Sequence, residues 1–143
     1  MNNLSFHITD ITANSIRANA SEIGLSIEEQ DARIVIRITD NGSGMDAETA
    51  RRVTNPFYTT RTTRKVGLGL PFLIQNAEQT GGSVTLTSEP GKGTEVRAVF
   101  HSDHIDCPPW GDLPGTVALL ITGNPEINLS LIHISEPTRQ AEI

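Results

Sequence analysis

Three polar side chains in the first predicted helix have the types and spacing of a site for a metal ion and a phosphate group. Asp10 and Asn14 are four residues apart and Arg17 is three residues further on, so all three project from one helix face. An asparagine oxygen can ligate Mg²⁺, a guanidinium can contact phosphate, and a carboxylate can orient a water molecule or a hydroxyl group. The residue types suit a metal–phosphate site, although taken alone this spacing is more often that of an exposed polar helix face.

A second candidate is the turn Asp40-Asn41-Gly42-Ser43-Gly44, which ends a predicted apolar strand. The carboxylate of Asp40 offers two acceptor oxygens and no donor. It therefore suits an exocyclic amino group such as adenine N6 and would repel a carbonyl oxygen at the same place. Gly42 and Gly44 would let the backbone approach a flat ring closely. The pattern indicates adenine recognition, and on its own also an ordinary turn.

The segment between Glu48 and Glu78 contains no acidic residue, although the whole chain is acidic. Five of the eleven cations of the chain lie in it: Arg51, Arg52, Arg61, Arg64 and Lys65. Gly67 and Gly69 open a predicted helix, where free backbone N–H groups and the helix dipole can hold phosphate oxygens. The residues from 58 to 65 have the composition of a lid that closes over a triphosphate. We expect a binding site for a small polyanion here, and the alternative is a solvated basic surface.

Hydrophobic periodicity predicts the elements that position these residues. In chain order we expect a helix, a hairpin, a short helix, a loop, a second long helix and a second hairpin. Their approximate bounds are 6–20, 23–38, 46–53, 55–69, 70–80 and 84–100. This order predicts an α/β (α+β) two-layer sandwich, with helices packed on one face of a mixed, mostly antiparallel sheet.

Length and composition exclude several classes of protein. The 143 residues suffice for one domain, and 36% hydrophobic with 20% charged residues excludes a fibrous, disordered or membrane protein. The net charge of −6 argues against nucleic-acid and anionic-membrane partners. The single cysteine, Cys107, cannot form an internal disulfide and is too few for a zinc site. Because the N-terminus lacks a secretory signal, we expect a cytoplasmic location.

The last forty residues divide into two segments. We expect residues 1–103 to form the domain and residues 104–128 to form a C-terminal extension, with a short helix over 116–121, that is truncated near its end. Residues 129–143 begin LSLIHISEPTR, which resembles the forward translation of a transposase-type sequencing-library adapter. Their apolar alternation is also typical of a strand, and periodicity alone does not separate the two interpretations. We expect this tail to be non-native and adapter-derived.

Five ordered motifs resemble the sequence boxes of the gyrase, chaperone, histidine-kinase and MutL (GHKL) ATPase superfamily. They are D-I-T-A-N, D-N-G-S-G-M, N-P-F-Y-T-T-R, V-G-L-G-L and S-E-P-G-K-G-T, and they span about Leu4 to His101. P-F-Y-T-T-R is similar to the phenylalanine box of bacterial histidine kinases, and N-S-I-R to their N-A-x-K. The chain thus resembles a histidine-kinase-type ATP-binding domain of the Bergerat fold, and more narrowly small stand-alone bacterial ATP-binding proteins.

The resemblance implies ATP and Mg²⁺ as cofactors and a role for each motif residue. Asn14 would ligate Mg²⁺ and Asp40 would bind adenine N6. Asp10 stands where the family usually has glutamate and would be the catalytic residue that orients the nucleophile. The implied ATP-binding residues are Asn14, Arg17, Asp40, Gly42, Gly44, Met45, Arg64, Lys65, Val66, Gly67, Leu68, Gly69, Leu70 and Thr94.

The expected function is Mg²⁺-ATP binding that transfers, or regulates the transfer of, a phosphoryl group to a partner protein. A sensor histidine kinase needs a helical hairpin with a phosphoacceptor histidine upstream. Only six residues precede His7, and H-I-T-D is not that motif, so we expect the acceptor on a partner. One alternative is a serine/threonine kinase of the anti-sigma-factor type. Another is a non-catalytic module in which ATP switches a lid that docks a partner.

Overall fold

The elements of the chain alternate between helices and antiparallel strand pairs. The computed structural model describes residues 3–54 and 69–135. In chain order this part contains α1 (Leu4–Arg17), β1 (Glu22–Gln30), β2 (Arg33–Asp40), α2 (Ala47–Thr54), α3 (Gly69–Gln79), β3 (Ser83–Glu89), β4 (Gly93–His101), α4 (Leu113–Gly123) and β5 (Asn128–Ser135).

The five strands form one mixed sheet in the order β3-β4-β2-β1-β5. Three of the neighbouring pairs are antiparallel, and β5 alone runs parallel to its neighbour β1. The β1–β2 hairpin turns through Asp31 and Ala32, whose φ values of 53° and 58° are those of a two-residue type I′ turn. The predicted fold class is confirmed, because the sheet is mixed and mostly antiparallel and packs against helices.

The core lies between the sheet and the helices, where the alternating apolar residues of the hairpins point. In the β1–β2 pair, Leu25 is opposite Ile38 and Ile27 is opposite Ile36, and all four are at most 4% exposed. Since side chains alternate between the two faces of a strand, this pattern buries one face of the sheet. The predicted hairpins are confirmed, and the strands extend a few residues further than the apolar pattern itself.

Helix α1 begins two residues earlier than predicted because acceptors outside the helix bind the N–H groups of its first turn. The side chain of Asn3 accepts a bond from Phe6 N at 2.7 Å and acts as the N-cap. The backbone oxygens of Pro109 and Trp110 accept bonds from Leu4 N at 2.8 Å and Ser5 N at 3.0 Å. The C-terminal extension therefore supplies acceptors that the helix itself lacks.

Helices α2 and α4 have carboxylate caps at their N-termini. Asp46 Oδ1 accepts a bond from Thr49 N at 2.8 Å at the start of α2. This backbone hydrogen bond is the main reason that the pKa of Asp46 lies below its usual value. Asp112 caps α4 in the same way, and α4 is longer than the helix predicted over 116–121. The loop predicted over 55–69 lies, apart from Gly69, outside the described residues.

Strand β5 coincides with the suspected tail, and it is poorly buried. Leu131, Ile132 and Ile134 are 43%, 57% and 56% exposed, and only Leu129 of its apolar residues packs against the core. An apolar segment of any origin can pair with an open strand edge such as that of β1. The pairing of β5 with β1 does not test the expected boundary at residue 128 or the adapter origin of the tail. Both stay predictions.

A chain that ends at Asn128 should unfold with a free energy within about 1 kcal/mol of the full chain, because the tail buries little apolar surface. Chemical denaturation of the two chains measures this difference. A truncated chain that is several kcal/mol less stable would show that β5 is a fitted element of the native core.

His7 of α1 is a buried imidazole at the contact between α1 and α3. It is 1% exposed, Asn76 Nδ2 donates to its Nε2 at 2.8 Å, and its ring centroid lies 5.1 Å from that of Phe72. No described residue forms a hydrogen bond with its Nδ1. Burial disfavours the charged form and lowers the pKa of His7 from 6.5 to about 4.

We expect His7 to destabilise the protein in mild acid. In the unfolded chain the imidazole gains a proton below pH 6.5, whereas the folded protein keeps it neutral down to about pH 4. Stability is thus lost as the pH falls through this window, by about 1–2 kcal/mol between pH 6.5 and 5. Unfolding curves of the wild type and of His7→Gln test this. An equal pH dependence in both proteins would contradict it.

Candidate functional site

A cavity of about 240 Å³ opens between the C-terminal half of α1, the end of β2 and the start of α3. Apolar side chains form its inner wall, and polar groups from α1, the turn after β2 and the start of β4 lie around it. Its lining residues are Ile11, Asn14, Ser15, Arg17, Ala18, Ile38, Asp40, Ser43, Gly44, Met45, Thr49, Leu70, Thr94 and Val96. The cavity can thus accept a flat apolar group with polar edges.

Asp40, the last residue of β2, is held by two hydrogen bonds. Ser15 Oγ donates to its Oδ2 at 2.6 Å, and Gly42 N donates to its Oδ1 at 2.9 Å. Each carboxylate oxygen has two acceptor sites, so both keep capacity for a further donor. The carboxylate is therefore fixed in orientation while it lines the cavity.

Ser15 was not among the residues predicted for the site. It is 3% exposed and lies on the face of α1 that packs on the sheet, where the apolar period predicts a hydrophobic residue. The only signal in the sequence is a hydroxyl at such a position, directly after Asn14. Its short bond to Asp40 shows why a polar residue occurs there.

Hydrogen bonds from two sides hold the turn after β2 in place. Asn41 Oδ1 accepts bonds from Ser21 N at 2.9 Å and Glu22 N at 3.0 Å, and Ser43 N donates to Ala18 O at 2.9 Å. Gly44 has a φ of 73°, and a Cβ there would lie 1.9 Å from Glu89 O. These contacts bring the turn against the end of α1 and the β3–β4 hairpin.

Ser88 of β3 is a second residue that the sequence prediction missed. Its Oγ accepts a bond from Met45 N at 2.8 Å and donates to Gly93 O at 3.0 Å. Because a hydroxyl has one proton, Thr94 Oγ1 is then the donor in the 2.8 Å bond between Thr94 and Ser88. Ser88 thus positions both Met45 and Thr94, which line the cavity.

The polar face predicted for α1 is present beside the cavity. Arg17 Nη2 donates to Asn14 Oδ1 at 2.6 Å, and both residues line the cavity. Asp10 is on the same helix face but is not one of the lining residues described. Partial burial raises the pKa of its carboxyl group, and the charge of Arg17 opposes this shift.

The structure brings together most of the predicted residues that it describes. Asn14, Arg17, Asp40, Gly44, Met45, Leu70 and Thr94 line one cavity, and Gly42 contacts Asp40. Gly69 is the first residue of α3, next to Leu70. The predicted phosphate-binding residues Arg64, Lys65, Val66, Gly67 and Leu68 lie outside the described residues.

The donor set suits a magnesium ion that is held partly by a phosphate ligand. Asn14 and Asp10 offer an amide and a carboxylate oxygen on one helix face. Within residues 3–54 and 69–135 there is no group of three or more His, Cys, Asp or Glu side chains that could hold a metal alone. Mg²⁺ is usually bound by one or two protein oxygens together with phosphate oxygens and water, so the residues present fit this ion.

Comparison with protein families gives one match that covers most of the chain. The family described as "Histidine kinase-, DNA gyrase B-, and HSP90-like ATPase" matches residues 3–104. No helix in the described part of the chain is both long and apolar enough to span a bilayer.

Similar proteins include bacterial kinases and one solved ATPase domain. Sensor histidine kinase YxdK of Bacillus subtilis is 28% identical over 68% of this chain and 32% of its own length. Sporulation kinase C of the same organism is 30% identical over 69% of this chain and 23% of its own length. The Aquifex aeolicus MutL ATPase domain complexed with ADP matches 99% of this chain and 67% of its own, with a TM-score of 0.58 and 15% identity. The chain therefore spans a third or less of these kinases and shares the fold of the ATPase domain.

Proposed function

This chain belongs to the family of histidine kinase-, DNA gyrase B- and HSP90-like ATPases, and we propose that it binds Mg²⁺-ATP in the cavity beside Asp40 and transfers the γ-phosphoryl group to a partner protein. The observation that carries the proposal is the carboxylate of Asp40, which two hydrogen bonds orient at the wall of a cavity that also has apolar surface from Ile11, Ile38 and Val96. The MutL domain of the same fold was solved with ADP, which supports a nucleotide as the ligand.

Adenine recognition follows from the chemistry of this cavity. The N6 amino group of adenine donates to Asp40, whereas the carbonyl oxygen that guanine carries at that position would be repelled. Ile11, Ile38 and Val96 contribute apolar surface to the cavity wall against which the ring packs. Thr94 adds a hydroxyl group beside Asp40, its partner in the β2–β4 pairing.

The face of α1 supports binding of the metal–phosphate group. Asn14 would hold Mg²⁺, and the ion would neutralise phosphate charge, which is its main contribution to phosphoryl transfer. Arg17 adds a positive charge next to Asn14, and Asp10, one turn before Asn14 on the same helix face, would orient a hydroxyl or an imidazole. Catalysis on this scheme is positioning and electrostatic stabilisation by residues of one rigid helix.

The proposal also includes transfer of the γ-phosphoryl group to a partner protein, in a two-component pathway in the cytoplasm. It is supported by the names of the two Bacillus subtilis relatives, a sensor histidine kinase and a sporulation kinase. The alternatives are transfer to serine or threonine and a non-catalytic switch. Incubation with γ-labelled ATP and candidate partner proteins separates them. Acid-labile label on the partner supports the proposal, acid-stable label indicates a hydroxyl acceptor, and absence of label favours the switch.

Asn14→Ala should weaken binding of Mg²⁺-ATP about tenfold or more and that of metal-free ATP much less, because it removes the oxygen assigned to the ion, whereas its other loss is one exposed hydrogen bond from Arg17. Calorimetric titrations with excess Mg²⁺ and with a chelator measure the two affinities in the same protein. Equal losses in both titrations would show that Asn14 does not ligate the metal.

A further inference from the structure

Three polar side chains form a line across the face of the sheet that is turned to the helices. Ser88 of β3 is directly paired with Thr94 of β4, and Thr94 is directly paired with Asp40 of β2. Directly paired residues share a face, and neighbouring strands are about 4.8 Å apart, so the three side chains are neighbours. Thr94 and Asp40 line the cavity, whereas Ser88 is not one of the lining residues described.

The hydrogen bonds of Ser88 determine which way the hydroxyl proton of Thr94 points. A carbonyl oxygen can only accept and a backbone N–H can only donate. Ser88 Oγ therefore gives its proton to Gly93 O at 3.0 Å and uses one lone pair for Met45 N at 2.8 Å. Its second lone pair accepts the proton of Thr94, whose Oγ1 is 2.8 Å away. The proton of Thr94 thus points to Ser88 and not into the cavity.

Ser15 of α1 extends the same pattern from the helix side. Its hydroxyl group donates to Asp40 Oδ2 at 2.6 Å, because an ionised carboxylate has no proton to give. The side chains of Ser15, Asp40 and Thr94 therefore present only lone pairs to a ligand in the cavity that they line. Such an acceptor edge matches an amino group, whereas a carbonyl oxygen placed there would face acceptors without a hydrogen bond, which is unfavourable in a buried site.

We propose that Ser88 keeps this edge free of donors, and that it thereby selects nucleotides whose base carries an amino group over those with a carbonyl group at the same place. The inference rests on the proposed function, because it requires the base to lie against Asp40. A hydroxyl group without a fixed partner can rotate and serve as donor or acceptor. Without Ser88, Thr94 would donate to a carbonyl oxygen. Ser88 acts through Thr94 and is a positioning residue.

The ratio of the dissociation constants of inosine triphosphate (ITP) and ATP measures this selectivity, because the base of ITP has a carbonyl oxygen where adenine has its amino group. Calorimetric titrations of the full chain with excess Mg²⁺ give both constants. We expect Ser88→Ala to lower the ratio about fivefold, since the released hydroxyl of Thr94 gains one hydrogen bond to the carbonyl oxygen. Ser83→Ala removes a hydroxyl from an exposed position of the same strand and should keep the ratio of the wild type.

The variant Thr94→Val shows whether Ser88 acts through Thr94. Thr94→Val alone should lower the ratio, because it removes lone pairs that disfavour the carbonyl oxygen. When Ser88→Ala is added to Thr94→Val, the ratio should change no further, since no hydroxyl group is left to release. A role of Ser88 in the fold of the hairpin alone would not produce this difference between the two backgrounds.

Four results would overturn the proposal. The first is an unchanged ratio in a folded Ser88→Ala protein, and the second is an equal decrease with and without the Thr94 hydroxyl. The third is a ratio that rises or stays unchanged in Thr94→Val, which decides the question alone if Ser88→Ala does not fold in a thermal scan. The fourth is a wild type that does not bind ATP, which is distinct from the other three because it refutes the proposed function as well.

Discussion

Asp40→Asn is expected to weaken ATP binding by about 10- to 100-fold while the domain stays folded. The backbone N–H of Gly42 can only donate, so the amide oxygen of the new side chain must take the place of Oδ1. The amide nitrogen then replaces Oδ2, where Ser15 now donates. One of the two acceptors for the adenine amino group becomes a donor, and a donor facing a donor in a buried site is unfavourable.

Calorimetric titration of ATP into the wild type and the variant measures this loss, and a thermal scan of each verifies the fold. Asp103→Asn is a matched control, because it makes the same chemical change at an exposed residue beyond β4. GTP should bind poorly to the wild type and lose little further affinity in the variant. Unchanged ATP affinity in Asp40→Asn would refute the assignment of Asp40 to adenine.

Gly93→Ala is expected to destabilise the protein by about 3–5 kcal/mol, the largest effect of any single change considered. Gly93 has a φ of 115°, and a Cβ there would lie 2.0 Å from Asp40 O and 2.9 Å from Asp40 C. Since both contacts are to backbone, the methyl group can only be accommodated if β2 and the β3–β4 hairpin move apart. The variant should therefore lose nucleotide binding together with stability.

Gly91→Ala provides the matched control for this prediction. Gly91 belongs to the same hairpin turn and has a φ of 79°, but a Cβ there would meet no atom within 4 Å. Its replacement should cost only about 1 kcal/mol, from the backbone conformation alone. Denaturant unfolding of the two variants compares the values directly, and similar losses would show that the close approach to Asp40 is unimportant.

The sequence predicts the hairpins well because each strand buries one face. The isoleucines of β2 at 34, 36 and 38 recur every second residue, and all three are at most 4% exposed. The motif residues Asn14 and Asp40 are predictable only from the order of the five motifs together, and both line one cavity. Local patterns of this kind determine which residues belong to the sheet and which to the site.

The remaining features depend on contacts between distant parts of the chain. The hydroxyl group of Ser15 finds its hydrogen-bond partner only when α1 packs against the end of β2. The hydroxyl group of Ser88 finds its partner only when β3 contacts the turn before α2. The start of α1 could not be predicted, because its acceptors at Pro109 and Trp110 are more than a hundred residues away. The pairing of β5 with β1 similarly reflects an available strand edge, which no pattern within β5 specifies.

The attachment of α1 to Pro109 and Trp110 has a consequence for how the protein folds during synthesis. Helix α1, which carries Asn14 and Ser15, is made before the acceptors of its first two N–H groups, which follow it by about a hundred residues. At about 5–20 residues per second, a ribosome needs roughly 5–20 s to make the intervening chain. Until then the helix lacks both acceptors, and the hairpins form beneath an incompletely anchored helix. Nucleotide binding should therefore arise late in translation, and ATP would stabilise nascent chains only after Trp110 has left the ribosome.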